Sequence, residues 1–317
     1  MTRNFLTLLL LVGLIGSSSV ATAQEKYTIQ PRFEPGKYVQ TQMTDNDMVT
    51  RVGDLDSEDG IPMKQVQTFK YLLEVSRPDA QGTQKMKMTF AEIKMTQTTM
   101  GMEMIFDSTD EDLQNPNLAP MFNAMLGSEI TFDMTKDGKA ENVSGLDELF
   151  DKMFKNIPGM TTVMLESMKK NMGDEMLSGM LGGLEYTKSR EPRAVGEKWT
   201  DNQSITIPFL GKTEIESTDT LLSVKDDVAV IASEGKIKIQ GGNTIEMGPL
   251  KLNLEKGDMS LAMTISVNIK TGLLSETQGE TAMDMTAEMD LPGNNAQKMK
   301  MRITGKAVTT MTIEKTE

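Results

Sequence analysis

Thioethers are the most plentiful soft donors in this sequence, with 29 methionines and neither cysteine nor histidine. Methionine sulfur selects Cu(I) among the biological metals. Met100-Gly101-Met102-Glu103-Met104 and Met283-Asp284-Met285 carry the M-x-M spacing that such sites use. Met100, Met102 and Met104 are therefore the candidate metal ligands. The same period of two is what the buried face of a strand produces. Methionine as core filler is the reading the pattern favours, and no cofactor is expected.

The missing residue types remove most catalytic chemistry. Without histidine and cysteine there is no Ser-His-Asp triad, no Cys-His pair, no His-bearing zinc site and no covalent haem attachment. Glycosidase chemistry needs only two carboxylates, and 46 acidic residues offer many pairs, but 10 Phe, 4 Tyr and 1 Trp leave few platforms for a sugar. Ser167-Met168-Lys169-Lys170 and Lys270-Thr271-Gly272 match the S-x-x-K and K-T-G of penicillin-binding enzymes, with Thr200-Asp201-Asn202 between them. Lys270-Thr271-Gly272 reads as a hairpin turn, however, so the match is discarded. Asp54 to Gly60 approximates a calcium loop, but Gly60 comes one place late and Gln65 stands where the closing Glu belongs. An enzyme is not expected.

The other candidate site is apolar. From Ser144 to Gly183 the strand-like text turns helical. Ser144 with Asp147 approximates a capping box. Leu146, Leu149, Phe150, Met153, Phe154 and Ile157 then fall within an arc of roughly 140°, and Pro158-Gly159 breaks the helix. A second helix is expected from Met160 to Met172, and a further apolar turn at Met176 to Leu181 closes on Gly182-Gly183. Methionines recur every fourth residue, at Met160, Met164, Met168, Met172, Met176 and Met180. They drift about 40° per step, and those of the Met160 to Met172 helix cover, with Val163 and Leu165, an arc of roughly 200°. So wide an apolar surface needs a cover, and a curved sheet is the expected one. Phe150, Phe154, Met160, Met164, Met168, Met172 and Met176 are the candidate ligand contacts, because methionine suits an adaptable apolar pocket.

These elements sit in a chain that begins like an export substrate. Arg3, the apolar run Phe5 to Gly16 and Ala21-Thr22-Ala23 have the three parts of a secretory signal peptide, with cleavage expected between Ala23 and Gln24. Periplasmic or extracellular location follows. Removing Arg3 leaves 32 basic against 46 acidic residues, a net charge of −14, which argues against nucleic acid and anionic membrane as partners. No later stretch approaches the ~18 apolar residues of a membrane-spanning helix. The expected organisation is 1–23 signal peptide, 24–143 a β-rich half, 144–183 the helical segment and 184–317 a second β-rich half.

The halves echo one another weakly, Val195-Gly196-Glu197-Lys198-Trp199 answering Pro35-Gly36-Lys37-Tyr38. In the first half Gln65 to Val75, Lys85 to Met95 and Met100 to Phe106 alternate, with a bulge expected near Phe90 where the buried parity switches. Leu118 to Leu126 reads as a short helix stopped by Gly127, and Glu129 to Val143 as a hairpin. In the second half strands are expected at Gln203 to Pro208, Thr213 to Val224, Val228 to Gln240, Leu250 to Leu254, Met259 to Ile269, Leu273 to Glu280, Ala282 to Met289 and Lys298 to Glu314. In the last of these Met299, Met301, Ile303, Ala307, Met311 and Ile313 face in, and Lys298, Lys300, Arg302 and Lys306 face out.

Gly196-x-x-Trp199, the hairpin carrying Met259, Ile265, Asn268 and Gly272, and the alternating strands after it resemble a group of exported bacterial proteins of unknown function. In that group the position of Asn268 is often Asp. The resemblance implies a fold and a compartment and assigns no catalytic residue. The β–helix–β order is also similar to lipoprotein-carrier half-barrels, in which a curved antiparallel sheet holds helices over an apolar cavity. The fold class expected is thus α+β, mostly β: a large, curved, half-barrel-like antiparallel sheet packed on a central Met-rich helical segment. The function expected is non-enzymatic, with an apolar or lipid-like ligand held between sheet and helices. A Cu(I)-binding protein and a structural envelope protein with an envelope partner are the alternatives.

Overall fold

The computed structural model describes residues 25–29, 33–53, 59–136, 140–154, 162, 165–166, 169, 189–207, 211–240, 244–247, 250–290 and 298–316. The chain opens with β1 (Lys26–Ile29), β2 (Gly36–Val52), β3 (Ile61–Val75), β4 (Gln84–Thr99) and β5 (Met102–Asp107). A short 3-10 turn at Glu111–Leu113 and helix α1 (Ala119–Met125) precede the hairpin of β6 (Glu129–Met134) and β7 (Ala140–Ser144). Helix α2 (Leu146–Phe154) follows. The second half contains β8 (Ser189–Ala194), β9 (Lys198–Ile207), β10 (Gly211–Lys225), β11 (Val228–Gln240) and β12 (Thr244–Met247). Three long strands end it: β13 (Leu250–Asn268), β14 (Leu274–Asp290) and β15 (Lys298–Lys315).

Thirteen of these strands form one antiparallel sheet in the order β7-β6-β4-β3-β2-β15-β14-β13-β11-β10-β9, with β5 on β4 and β12 on β13. The sheet is open, ending at β7 and β9. The two halves are therefore not separate sheets. Each is a meander, and they join where β15 pairs with β2 from Met301 opposite Val52 to Lys315 opposite Tyr38. A second tie lies at one end, where β1 pairs with β8. Tyr38 donates its hydroxyl to the Glu34 carbonyl at 2.7 Å, Lys315 bridges Glu34 at 2.9 Å, and Arg193 lies 5.2 Å over the Trp199 ring.

Alternation explains the strands and the bulge. Met86, Met88 and Phe90 on β4 are buried, and so are Ile93 and Met95, which have the opposite parity. The ladder absorbs the switch between Lys70 and Tyr71, opposite Glu92 and Phe90, leaving Ala91 unpaired. Both apolar sets thus reach the same face. That face, called inner here, carries α1 and α2. Phe122, Met125, Leu146 and Leu149 join Tyr71, Leu73, Phe90, Ile130 and Phe132 in a single buried cluster, with the Phe106 and Phe122 ring centroids 4.9 Å apart. Each such side chain contributes about 1.5–3 kcal/mol on burial.

Several strands run further than the local text suggests. Leu250 to Leu254 and Met259 to Ile269 are one strand with an irregularity between Leu254 and Lys256, and Leu273 to Glu280 joins Ala282 to Met289. Lys256-Gly257-Asp258 has turn composition, but ladders on both sides hold it extended. β8 and β12 were not expected from periodicity. The helix also starts later. Ser144 ends β7, its hydroxyl 2.7 Å from that of Thr131, and helix bonding begins with Leu149 donating to Gly145. Gly145 has φ 91° and a side chain there would meet the Glu129 carbonyl, so no other residue fits.

The outer face carries several charged pairs beside exposed Met43, Val66 and Leu72. Lys70 meets Glu92 at 2.7 Å, Lys94 bridges Glu92 and Asp107, and Arg302 grips Asp284 with both nitrogens at 2.9 and 2.7 Å. Among the described residues no helix is long and apolar enough to cross a membrane.

Two outcomes follow. Gly145→Ala should lower the urea-unfolding free energy by at least about 2 kcal/mol through the left-handed backbone and the contact with Glu129. Hydrogen bonds from Arg302 to Asp284, from Lys70 to Glu92 and from the Thr109 hydroxyl to Asp107 hold these carboxyls below their ordinary values. Depressed pKa values stabilise the fold above the unfolded carboxylate range of about 4 and lose that contribution as pH falls through the folded values. The urea midpoint should be flat from about pH 7 to 5 and fall below about pH 4. Asp284→Asn should blunt the fall only slightly, because the Asp284 and Arg302 side chains are 46% and 36% exposed.

Candidate apolar ligand face

The ladders sort the inner face into cross-strand rows. At the end nearest the β1–β8 ribbon, Val75, Leu73 and Tyr71 on β3 oppose Met86, Met88 and Phe90 on β4. Ile313 and Met311 on β15, with Ile265 and Val267 on β13, continue the same closed core. Burial there pushes the Tyr71 hydroxyl pKa up, since no water reaches the phenolate. This end is sealed.

The next rows are polar. On β2 the inward positions are Gln40, Gln42, Thr44 and Asn46, and on β3 they are Gln65 and Gln67. Thr44 and Thr309 share a hydrogen bond at 3.2 Å across the β2–β15 junction. Asn46 donates to Gln65 at 3.4 Å, and Gln65 donates to the Met95 sulfur at 3.2 Å. Thr277 and Thr281 extend this belt on β14, and Ser233 carries it to β11. On β13 the belt is interrupted by Leu261 and Met263. Met263 lies against Gly279, its Cγ 3.1 Å from where a side chain there would begin.

Beyond the belt the face turns apolar again. Met63, Met48, Gly305, Met283 and Met259 stand opposite one another on five adjacent strands, β3, β2, β15, β14 and β13. Met48 folds over Gly305, its Cγ 2.6 Å from where a side chain there would begin, so only glycine leaves it room. Ile303 and Met285, then Met301 and Ala287, then Met299 and Met289 continue along β15 and β14. Ile237, Leu254 and Ala287 form a small buried cluster with Leu252, Met259 and Met285 beside them. Unlike the sealed end, this field is only half-buried at Met48, Met63, Met283, Met285, Met299 and Met301. Val52 and Ile61 at its rim are 43% and 41% exposed. No ionisable side chain faces inward here among the described residues of these five strands.

The expected site residues distribute unevenly. Phe150 is 1% exposed and stacks on Phe154 with ring centroids 5.9 Å apart. Met160, Met164, Met168, Met172 and Met176 lie outside the described residues. Within that stretch Leu165 is buried, and Lys169 bridges Asp151 of α2 at 3.0 Å and Glu166 at 3.2 Å. Met100 is not on a strand: with φ 51° it makes the β4–β5 turn with Gly101. Met100 and Met102 are each 67% exposed, Met104 is half-buried opposite Gln97, and Phe106 is buried. The inward residues of β15 are those read from the sequence. The methionine row and the polar belt were missed, although the parity of Tyr38 along β2 and of Val75 along β3 carried the signal.

Comparison with known proteins finds no match among curated sequences. Among solved structures, the fold is similar to one described as lipid–protein interactions in lipovitellin, at 9% identity and a TM-score of 0.49. The alignment covers 90% of this chain, which spans 26% of the lipovitellin chain. The COG4313 outer membrane channel from Pseudomonas putida F1 aligns at 6% identity and a TM-score of 0.24, over 90% of this chain and 97% of that one. OccK7 (OpdD) of Pseudomonas aeruginosa aligns at 5% and 0.23, over 88% and 99%. These are loose likenesses of architecture and carry no activity across. The family assignment is firmer: a model matches residues 81–274, and the chain belongs to the family of unknown function DUF6263.

Proposed function

We propose that this is an exported, non-enzymatic protein whose inner sheet face holds an apolar, lipid-like ligand. The observation that carries the reading is the half-buried, uncharged methionine field beyond the polar belt. A sheet that needed only to be stable would fill or solvate that face. Here flexible thioethers line it, and they adapt to varied apolar shapes. Export rests on the signal-peptide pattern of residues 1–23. The absence of histidine and cysteine leaves little for catalysis to use.

A second reading has its own support in the row Met63, Met48, Met283 and Met259, which brings soft sulfur donors onto neighbouring strands. One preparation separates the two. Protein purified from its native compartment should carry extractable lipid by native mass spectrometry, and Met48→Glu/Met283→Glu should weaken uptake of a neutral fluorescent hydrocarbon probe at least about tenfold, as charges enter an uncharged face. Copper retained under reducing conditions in place of lipid would favour the second reading. Neither lipid nor copper, with no probe uptake, would leave an envelope structural protein.

A further inference from the structure

The M-x-M run between β4 and β5 lies apart from the inner apolar face, and its setting suits a different chemistry. Met100 and Met102 are each 67% exposed, more than any other described large apolar residue, with Met43 next among the methionines at 43%. Met100 has φ 51° and Gly101 φ 78°, the paired positive angles of a two-residue hairpin turn between Thr99 and Met102. A side chain built at Gly101 would meet nothing within 4 Å. Two thioethers therefore stand in water at a projecting tip. The sequence has no cysteine, so no thiol competes with them for an oxidant, and its one tryptophan, Trp199, is buried.

Hydrogen peroxide oxidises a thioether by two electrons. The sulfur lone pair attacks one peroxide oxygen, the O–O bond breaks as the S=O bond forms, and the second oxygen leaves as water with both protons. The sulfoxide is polar and needs water around it. At Met86 and Met88, 1% and 0% exposed, it would be a buried polar group without a partner. Met95 is also buried, and its sulfur already accepts a hydrogen bond from Gln65 at 3.2 Å. Neither obstacle exists at the tip, and neither tip methionine belongs to the buried cluster. We infer that Met100-Gly101-Met102 is a reversible oxidation site. It takes oxygen from peroxides ahead of the other described methionines and gives it up, with the chain still folded, to a dithiol-dependent methionine sulfoxide reductase. In that step the S=O bond breaks, two thiols become a disulfide and the oxygen leaves as water. A reductase must close around the oxidised side chain, which a projecting turn allows and a sheet face does not. The inference does not depend on what the inner face holds.

The test treats the folded mature chain with excess hydrogen peroxide and follows each methionine by peptide mass spectrometry. Met100 and Met102 should react at least about tenfold faster than Met86 and Met88, whose oxidation waits on local opening. Met104, half-buried two residues further along β5, should fall between. Methionine sulfoxide reductases of both epimer specificities, supplied with dithiothreitol, should then restore Met100 and Met102 without denaturant. Met100→Gln/Met102→Gln, a polar stand-in for the oxidised turn, should keep the wild-type urea midpoint, whereas Met88→Gln should lower it. The wild-type rates decide the matter even if Met88→Gln does not fold. Met48, Met283 or Met88 reacting as fast as the tip overturns the inference. So does a tip sulfoxide that is reduced only in urea, or a lowered midpoint in the double variant.

Discussion

The β2–β15 ladder is the constraint on which the rest depends. It joins residues near the two ends of the described chain, from Val52 opposite Met301 to Tyr38 opposite Lys315. Without it the protein would be two meanders, each with an unpaired edge. Register at this junction also decides which face is inner. A slip of one residue would turn Met299, Met301 and Ile303 outward and bring Lys298, Lys300 and Arg302 in. Thr44 and Thr309 clasp across the same junction, so the belt and the seam are one feature. A contact between such distant residues forms late, and slow folding is the expected consequence.

That seam divides the inner face into zones with different duties. The sealed end is held by aromatic packing on α1 and α2 and by the β1–β8 ribbon. At the far end the inward methionines of β2, β3, β14 and β15 are only half-buried. Glycine shapes the boundary region, Gly305 yielding to Met48 and Gly279 to Met263. Side chains there would force the methionines off the sheet. The outer face, by contrast, carries charge in compensated pairs, which add little to its stability.

Much of the fold was legible from alternation alone. β11 runs Val228–Gln240 as read, α1 stops at the expected Gly127, and the bulge near Phe90 is real. Elements failed where a neighbour outweighed the local text. Gly257 looks like a turn residue but sits between ladders on both sides. Ser144 looks like a cap but is the last residue of a strand, and Met100 looks like strand but takes a left-handed turn. The site was harder to read. Inward Gln42, Thr44 and Asn46 have the composition of a solvated face, and it is the parity they share with Tyr38, matched by their pairing with Phe69, Gln67 and Gln65, that places them inward. The methionines of β14 and β2 become a row only once register is known, because no spacing within one strand encodes its partner.

The central claim is that ligand meets the methionine field and stops short of the sealed end. Protein labelled with [13C-methyl]methionine and titrated with 1-monomyristoylglycerol tests it most directly by NMR. The account predicts shifts at Met48, Met63, Met283 and Met285, and none at Met86 and Met88, which are 1% and 0% exposed. Shifts confined to the outward Met43 or the turn residue Met100, or no shifts at all, would contradict it.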